Sequence, residues 1–400
     1  MNPQGPLSFT FDRCLGQGGF GEVYLAYQHR PEGIVRKVAV KLLRTDLDMQ
    51  DPSALKRLKD EARVLSILDH PSILSLHELT WIEGRLALVT EYVPGTDLGD
   101  RSLIGQPLPA RAVWGIVARV ADALHAAWHA RSPETEAPLH LVHRDIKPHN
   151  IRVSISGEVK LLDFGIAHTA ELHRESITDL REMPFTAGYS APETFNQGEY
   201  GSAADIYALG VTSFRLLTGQ KLFGKTSLPE HFKITQTESG YRTFVQDRLE
   251  ALHPALPPPF LRLLEAMLSY DPLGRPSAEE VETSAQRLAD ETSGQTHQEW
   301  AQSASISDIG SFESSLTGRT LAVDNPDATI PIREGRLPGH EAQLPEFMLA
   351  DLSPELQAVA AATEEIMLPT GATTSSLKKT KLLAALVVML GAAAAWILFG

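Results

Sequence analysis

The amino-acid sequence predicts an α+β fold in which a small strand-rich unit is followed by a larger helical one. Short apolar runs such as Val38–Leu42 and Leu86–Val93, the first of them alternating, make residues 9–92 typical of a β-sheet. A single helical repeat over Asp51–Asp69 interrupts these runs, and Pro52 suits its first turn. We therefore expect a sheet accompanied by one helix.

Residues 96–290 have the repeat of packed helices. Helices are predicted over Asp205–Leu217 and Pro257–Leu268, and a third carries an apolar stripe that we assign to the core. The stripe consists of Val113, Ile116, Val117, Val120 and Leu124.

The composition limits the classes of function. A formal net charge of -14 over 400 residues argues against a protein that grips nucleic-acid phosphates with a basic face. Cys14 is the single cysteine, so no internal disulfide can form, which fits a reducing compartment. Cys14 is interpreted as a buried strand residue, with a redox role as the alternative.

Residues 291–376 differ from the part before them. They are rich in Ser, Thr, Ala and acidic residues and poor in aromatic ones, which predicts a mostly disordered linker without a packed core. A short helix is expected over Ser353–Met367.

The C-terminal stretch 382–399 predicts a transmembrane helix. It has no charged residue, and a helix of this length spans about 27 Å, close to the ~30 Å of a bilayer core. Lys378, Lys379 and Lys381 precede it, which favours a cytoplasmic location for the upstream chain. Met1–Phe11 lacks the apolar run of a signal peptide. We expect a single-pass inner-membrane protein, and a buried C-terminal helix is the alternative.

The segment His143–Asn150 and the downstream Asp163 hold groups suited to phosphoryl transfer. Asp145 is the candidate base for a substrate hydroxyl, and Lys147 is placed to neutralise charge on the moving phosphate. Asn150 and Asp163 offer the oxygen ligands that Mg²⁺ prefers. His143 is interpreted as a structural residue of this loop, because Asp145 already supplies a base.

A glycine-rich segment suggests where phosphates bind. Gly16, Gly18, Gly19 and Gly21 precede Val23 in a pattern that dinucleotide-binding folds share, and an ordinary tight hairpin would also explain it. Strand residues follow these glycines, whereas a dinucleotide site would open a helix there. The context therefore favours a hairpin that closes over nucleotide phosphates.

Lys41 is the candidate phosphate-binding cation. Ala39 and Lys41 share one face of a strand, and a lysine on such a face needs a carboxylate to orient it. Glu61, on the predicted helix, is the favoured partner over Glu22 and Glu83. The alternative is that Glu61 belongs to a solvated helix face.

In combination these motifs resemble the eukaryotic-type (Hanks-type) protein Ser/Thr kinases of bacteria. The resemblance covers about residues 9–289. It implies a two-lobed kinase domain over 9–290, with a β-rich lobe at 9–93 and a helical lobe at 94–290. ATP and Mg²⁺ are expected in the cleft between the lobes, and Glu91 and Val93 in the hinge that binds adenine, beside the gatekeeper Thr90.

The resemblance also assigns supporting roles. Asp205 is expected to brace the catalytic loop, and Glu193 to pair with Arg275. Arg144 next to the base implies activation by phosphorylation, for which Ser176 and Thr178 are the candidate sites. The alternative is that both are simply polar loop residues.

Three positions depart from the family pattern. Phe185 stands where a glycine is usual, and Arg152 stands where an apolar residue usually lies beneath adenine. The loop Arg131–Pro138 is longer than the usual link into the catalytic loop. None of the three removes a catalytic group.

The expected function is a membrane-anchored Ser/Thr kinase that acts on cytoplasmic proteins and on itself, with self-association for phosphorylation in trans. An ATP-binding pseudokinase scaffold is the first alternative, and a small-molecule phosphotransferase is the second. The intact Lys41, Asp145, Asn150 and Asp163 argue against a scaffold.

Overall fold

The computed structural model divides the chain into two units, residues 1–335 and 336–400, and describes part of the first. The described residues are 6–18, 21–43, 52–100, 102–103, 105–164, 187–195, 201–224, 228–252, 256–304, 312, 314–324 and 330–331.

The first lobe is built on an antiparallel sheet with one helix. Its strands and helix are β1 (Ser8–Gln17), β2 (Gly21–His29), β3 (Val35–Leu43), α1 (Pro52–Ile67), β4 (Leu76–Ile82) and β5 (Arg85–Glu91). These five strands lie in the order β4-β5-β3-β2-β1, and two later strands pair with the two edges. The predicted strand-rich unit with one helix is confirmed.

The second lobe begins with a small sheet and continues in helices. The sheet consists of β6 (Gly95–Asp97), β7 (Ile151–Ser154) and β8 (Val159–Leu161). The helices are α2 (Ala110–Trp128), α3 (Pro192–Phe195), α4 (Ser202–Thr218), α5 (Leu228–Thr235), α6 (Glu238–Glu250), α7 (Pro258–Met267), α8 (Ala278–Glu291) and α9 (His297–Ser303).

Alternation along β3 determines which side chains can face the cleft. Val38, Val40 and Leu42 are buried in an apolar cluster on one face of the sheet. Ala39 and Lys41 are only partly buried and lie on the opposite face, because successive side chains of a strand point to opposite sides. The face that carries Lys41 is thus the one that meets Glu61 on α1.

The core of the second lobe surrounds α2, as the apolar stripe predicts. Trp114 is fully buried and meets Phe260 of α7 edge to face, with ring centroids 5.3 Å apart. The predicted helices at 205–217 and 257–268 correspond to α4 and α7. Helix α4 begins three residues earlier than predicted, at Ser202, and the other three ends agree within one residue. The long loop before the catalytic segment folds into a turn closed by Ser132 N–H donating to the Ala137 carbonyl.

The expectation of a linker without packed core from residue 291 is wrong for residues 297–304 and 314–324. Thr296 and Glu299 form a reciprocal capping box at the start of α9, and Trp300 is buried. Thr320–Ala322 forms β9, in which exposed and buried side chains alternate. The T-x-x-E spacing and this alternation were signals in the sequence, but the acidic composition around them masked both.

The remaining C-terminal predictions lie outside the described residues. These are the helix at 353–367 and the transmembrane helix at 382–399. Within the part of the chain that the structure describes, no helix has the length and apolar character needed to cross a bilayer.

The docking of α9 should make stability sensitive to acid. Burial, together with nearby Arg119, lowers the pKa of His297 to about 4, so the folded protein keeps this ring neutral. The unfolded chain binds a proton near pH 6.5, so the unfolded state gains protons first as the pH falls and the free energy of unfolding decreases between about pH 6.5 and 4.

We expect His297→Gln, which cannot be protonated, to lose less stability on acidification than the wild type, by on the order of 3 kcal/mol near pH 4. Urea unfolding of both proteins at neutral and acidic pH measures this difference. If acidification lowered the free energy of unfolding equally in the two proteins, His297 would not be the group that makes stability sensitive to acid.

Candidate active site

Three charged side chains from different elements meet at the cleft face of the sheet. Lys41 Nζ on β3 lies 3.1 and 2.9 Å from the two carboxylate oxygens of Glu61 on α1. The same nitrogen lies 2.9 Å from Asp163 Oδ1. The structure therefore brings Lys41, Glu61 and Asp163 together. The two rival carboxylates form ion pairs elsewhere, Glu22 with Arg85 and Glu83 with Arg319.

The electrostatics of this cluster keep Lys41 protonated. Burial alone would lower the pKa of Lys41, but the two carboxylates raise it above its ordinary value. Lys41 in turn lowers the pKa of Asp163 against the effect of burial. Burial raises the pKa of Glu61, and Lys41 opposes that rise. The cluster thus presents a fixed cation and an ionised Asp163 to the cleft.

Asp145 has one oxygen that is held and one that is not. Its Oδ2 accepts hydrogen bonds from Lys147 Nζ at 2.7 Å and from Asn150 Nδ2 at 2.8 Å. Its Oδ1 is buried and has no hydrogen-bond partner among the described residues. Because a buried acceptor without a partner is costly, this oxygen indicates a place where another donor binds.

The catalytic loop is braced from below by a buried carboxylate. Asp205 on α4 accepts the backbone N–H groups of His143 at 2.6 Å and Arg144 at 2.8 Å. Arg144 has a positive φ of 69°, so these bonds hold a conformation that a non-glycine residue rarely adopts. Burial raises the pKa of Asp205 to about 7, and the two N–H groups oppose that rise.

His143 lies inside this scaffold and away from solvent. Its Nε2 is 2.9 Å from the Leu162 carbonyl, and its ring lies 4.6 Å from that of Phe164. Burial lowers the pKa of His143 to about 4, so the ring is neutral at physiological pH. These contacts place His143 between the loop and the strand end that carries Asp163.

The described part of the glycine-rich segment is a tight hairpin between β1 and β2. Gly18 N–H donates to the Gly21 carbonyl at 2.9 Å, and Val23 pairs with both Gly16 and Lys41. A Cβ at Gly21 would lie 2.4 Å from the Leu42 carbonyl oxygen, so the close approach of β3 requires glycine there. Gly19 lies outside the described residues.

The hinge is held from both lobes. Glu91 accepts hydrogen bonds from Ser75 N–H at 2.8 Å and from Lys160 Nζ at 2.8 Å. Thr90 hydroxyl lies 3.3 Å from the Glu91 carbonyl. Lys160 was missed by the sequence reasoning, because nothing in its local pattern indicates that β8 faces the hinge.

Arg152 grips the same hinge from the neighbouring strand. Its guanidinium donates to the carbonyls of Val93 and Gly95, each at 2.8 Å, and to Asp97 Oδ1 at 2.7 Å. Arg152 and Lys160 are register partners on β7 and β8, so two cations stand side by side beneath residues 91–97. Arg152, which replaces the apolar residue usual at this position, therefore forms charge-assisted bonds to two hinge carbonyls and to the Asp97 carboxylate.

Replacing Arg152 with leucine restores the usual apolar residue but removes these three bonds. We expect Arg152→Leu to weaken ATP binding about 3- to 10-fold, which corresponds to about 0.6–1.4 kcal/mol, because the hinge loses three charge-assisted bonds and becomes less ordered. Asp97→Asn, which keeps the bonds to both carbonyls, serves as the control. Equal or tighter ATP binding by Arg152→Leu would show that the hinge does not depend on the guanidinium.

The donor set fits a magnesium site. Asn150 uses its Nδ2 on the Asp145 carbonyl and carboxylate, and its Oδ1 accepts no hydrogen bond from the residues that the structure describes. That oxygen and the ionised Asp163 are hard donors of the kind Mg²⁺ takes together with phosphate oxygens. Among the described residues no cluster of three or more His, Cys, Asp or Glu side chains suited to a metal is present.

The end of the segment between Asp163 and Glu193 is anchored by a bidentate ion pair. Arg275 donates to both oxygens of Glu193, at 2.7 and 2.8 Å, and its side chain is fully buried. The candidate phosphorylation sites Ser176 and Thr178, together with Phe185, lie outside the described residues.

This arrangement is typical of the protein kinase class. It combines two lobes with a lysine–glutamate pair, a glycine hairpin and a braced loop in which one oxygen of Asp145 has no partner among the described residues. The chain belongs to the protein kinase family: the model described as "Protein kinase domain" matches residues 9–285.

Curated relatives share this region. Serine/threonine-protein kinase Pkn1 of Myxococcus xanthus is 38% identical over 55% of this chain, and serine/threonine-protein kinase PrkC of Bacillus subtilis is 35% identical over 57%. Tyrosine-protein kinase MasK of Myxococcus xanthus is 34% identical over 56%. The matched regions cover 30%, 33% and 34% of those proteins, so the chain spans about a third of their length.

Proposed function

We propose that this chain is a protein Ser/Thr kinase that transfers the γ-phosphate of ATP to serine and threonine hydroxyls of cytoplasmic proteins and of itself. The observation that carries this proposal is the hydrogen bonding of the Asp145 carboxylate. One of its oxygens is held by Lys147 and Asn150, and the other is buried without a partner among the described residues. Such a carboxylate is ready to accept a hydrogen bond from a substrate hydroxyl.

Each residue of the site has a part in the reaction. Lys41, oriented by Glu61, binds phosphate oxygens of the nucleotide beneath the glycine hairpin. Magnesium, when bound, neutralises phosphate charge, and Asn150 and Asp163 are the side chains that hold it.

The chemical step exchanges one P–O bond for another. The substrate hydroxyl oxygen bonds to the γ-phosphorus while the bond to the β–γ bridging oxygen breaks, which releases ADP. Asp145 orients the hydroxyl and receives its proton late, when the transition state is already loose. Lys147, 2.7 Å from Asp145, stabilises negative charge on the transferred group.

Incubation with γ-labelled ATP, Mg²⁺ and a generic basic protein, followed by phosphoamino-acid analysis, tests this function. We expect label on phosphoserine and phosphothreonine. Label on phosphotyrosine would change the acceptor class, a relevant outcome because one relative is named a tyrosine kinase. Nucleotide binding without any label transfer would favour the scaffold alternative.

Anchoring in the inner membrane is part of the proposal. Its support is the uncharged stretch 382–399 after Lys378, Lys379 and Lys381. We expect the full chain to remain with membranes after an alkaline carbonate wash, and a chain without residues 382–399 to be released. Release of both proteins would refute anchoring by this stretch.

We propose that two copies of the chain associate and phosphorylate each other on Ser176 or Thr178, which activates them. The Arg144 guanidinium then binds the phosphorylated residue. Mixing an Asp145→Asn chain with a tagged active chain tests it. Phosphate on the inactive chain is expected, and its absence would restrict the reaction to the same molecule.

A further inference from the structure

The chain returns to the first lobe after it has completed the second. Helix α9 packs on the second lobe, where His297 contacts Gly115 of α2. After it come Phe312, residues 314–324 and Ile330–Pro331, which together we name the C-terminal strap and which pair with the first lobe. The lobes are therefore joined by the hinge and again through residues 305–311, whose structure is not described.

The strap bonds to both edges of the sheet through its backbone. β9 (Thr320–Ala322) pairs antiparallel with β1, and β10 (Ile330–Pro331) pairs with β4, the strand at the opposite edge. Phe11 N–H donates to the Arg319 carbonyl at 2.9 Å, and Gly318 N–H donates back to Phe11 at 2.8 Å. Unpaired edge strands are prone to pairing with other chains, and the strap pairs part of each edge within the molecule: Ser8–Thr10 of β1 and Glu78–Leu79 of β4.

The strap also covers an apolar face. Leu316, Leu321 and Val323 are buried at 5%, 8% and 5% exposure in the cluster that contains Phe9 and Phe11 of β1. Alternate residues of β1, β2, β3 and β5, together with Ile82 of β4, form the rest of that cluster, on the face opposite Lys41. Without these three side chains, large apolar residues of the sheet would contact water.

Polar contacts fix the strap at the turn between β4 and β5. The Asp324 carboxylate accepts the N–H groups of Glu83 at 2.9 Å and Gly84 at 2.6 Å, and Arg319 pairs with Glu83 at 2.7 Å. Glu83 has a positive φ of 50°, so Asp324 stabilises a turn that includes a strained residue.

The strap reaches the base of the glycine hairpin on both of its strands. Phe312 N–H donates to the Cys14 carbonyl at 3.1 Å, two residues before Gly16. On β2 the Tyr24 hydroxyl bonds to Ser314 of the strap and also to Glu22 at 2.9 Å. Both strands that carry the hairpin are thus held where they leave the sheet.

We propose that the C-terminal strap is a positioning element for nucleotide binding, one that holds β1 and β2 so that the glycine hairpin lies over the phosphates. This inference rests on the proposed kinase function, and the strap lies beyond residues 9–285 that match the kinase family. If release of the strap reduces the competent hairpin conformation to about a fifth, the apparent Kd for ATP rises about fivefold.

The test uses the full chain and ATP with Mg²⁺ as the probe. Leu321→Asp places a charge on the buried side of β9, whereas Ala322→Asp places the same charge on its exposed side and serves as the matched control. Equilibrium binding and steady-state kinetics are measured for both. For Leu321→Asp we expect the Kd and KM for ATP to rise about fivefold while kcat changes less than about twofold at saturating ATP.

Leu321→Ala and Leu321→Ile keep the result interpretable if Leu321→Asp does not fold. Leu321→Ala should raise the KM for ATP less than Leu321→Asp does, and Leu321→Ile should have a KM for ATP close to that of the wild type. Wild-type ATP affinity in folded Leu321→Asp or Leu321→Ala, even with a lower melting temperature, would overturn the proposal, because the strap would then be structural only. Failure of the wild type to bind ATP would refute the kinase function instead.

Discussion

Asp145→Asn is expected to abolish phosphoryl transfer while ATP binding is retained. Asparagine has nearly the same shape and still bonds to its neighbours, but it cannot receive the hydroxyl proton through the oxygen that the structure leaves without a partner among the described residues. Loss of a positioned base typically costs about 10²- to 10⁴-fold in rate. Label transfer from γ-labelled ATP measures kcat, and equilibrium binding measures the affinity for ATP.

The control for this variant is Glu279→Gln, which removes one exposed carboxylate from α8 and should leave both quantities unchanged. Turnover by Asp145→Asn at the wild-type rate would refute Asp145 as the base. If Asp145→Asn lost both ATP binding and turnover, the substitution would have disturbed the cleft and not the proton transfer alone.

Arg275→Leu is expected to lower the free energy of unfolding by about 3–5 kcal/mol, because it leaves the Glu193 carboxylate without its buried partner. Arg275 also donates to the carbonyls of Ala203 at 2.9 Å and Ser269 at 2.8 Å, and these bonds are lost as well. Its guanidinium lies 5.0 Å from the centre of the Tyr207 ring. Urea unfolding monitored by circular dichroism measures the change.

A double-mutant cycle separates the ion pair from the packing. Glu193→Gln with Arg275→Leu should be less destabilised than the sum of the two single variants, since neither charge is then left alone. The exposed pair Arg242–Glu238 provides the control: Arg242→Leu should cost less than about 1 kcal/mol. Equal losses from Arg242→Leu and Arg275→Leu would contradict the role of burial.

The sequence predicts the parts of the site that local patterns specify. Strand alternation puts Lys41 on the face opposite Val40, and helical spacing places Glu61 on α1. The motif around Asp145 brings Lys147 and Asn150 within reach because they are close along the chain. The structure adds the distances, above all that Lys41 contacts Glu61 and Asp163 at the same time.

The contacts that sequence reasoning missed join residues distant along the chain. Lys160 meets Glu91 across 69 positions, and Asp324 meets Glu83 across 241. No local period reports such pairs, since they depend on how separately formed elements pack. The strap was missed for a further reason: three apolar side chains suffice to dock it on a face already formed, although the composition around them is typical of disorder.

Phosphosite mapping of the wild type beside Lys41→Met, each incubated with ATP and Mg²⁺, tests the kinase assignment most directly. Methionine removes the cation that Glu61 and Asp163 hold at the cleft. We expect phosphorylated Ser and Thr residues in the wild type, including positions between Asp163 and Glu193, and none in Lys41→Met. The same phosphosites in both proteins, or none in either, would contradict it.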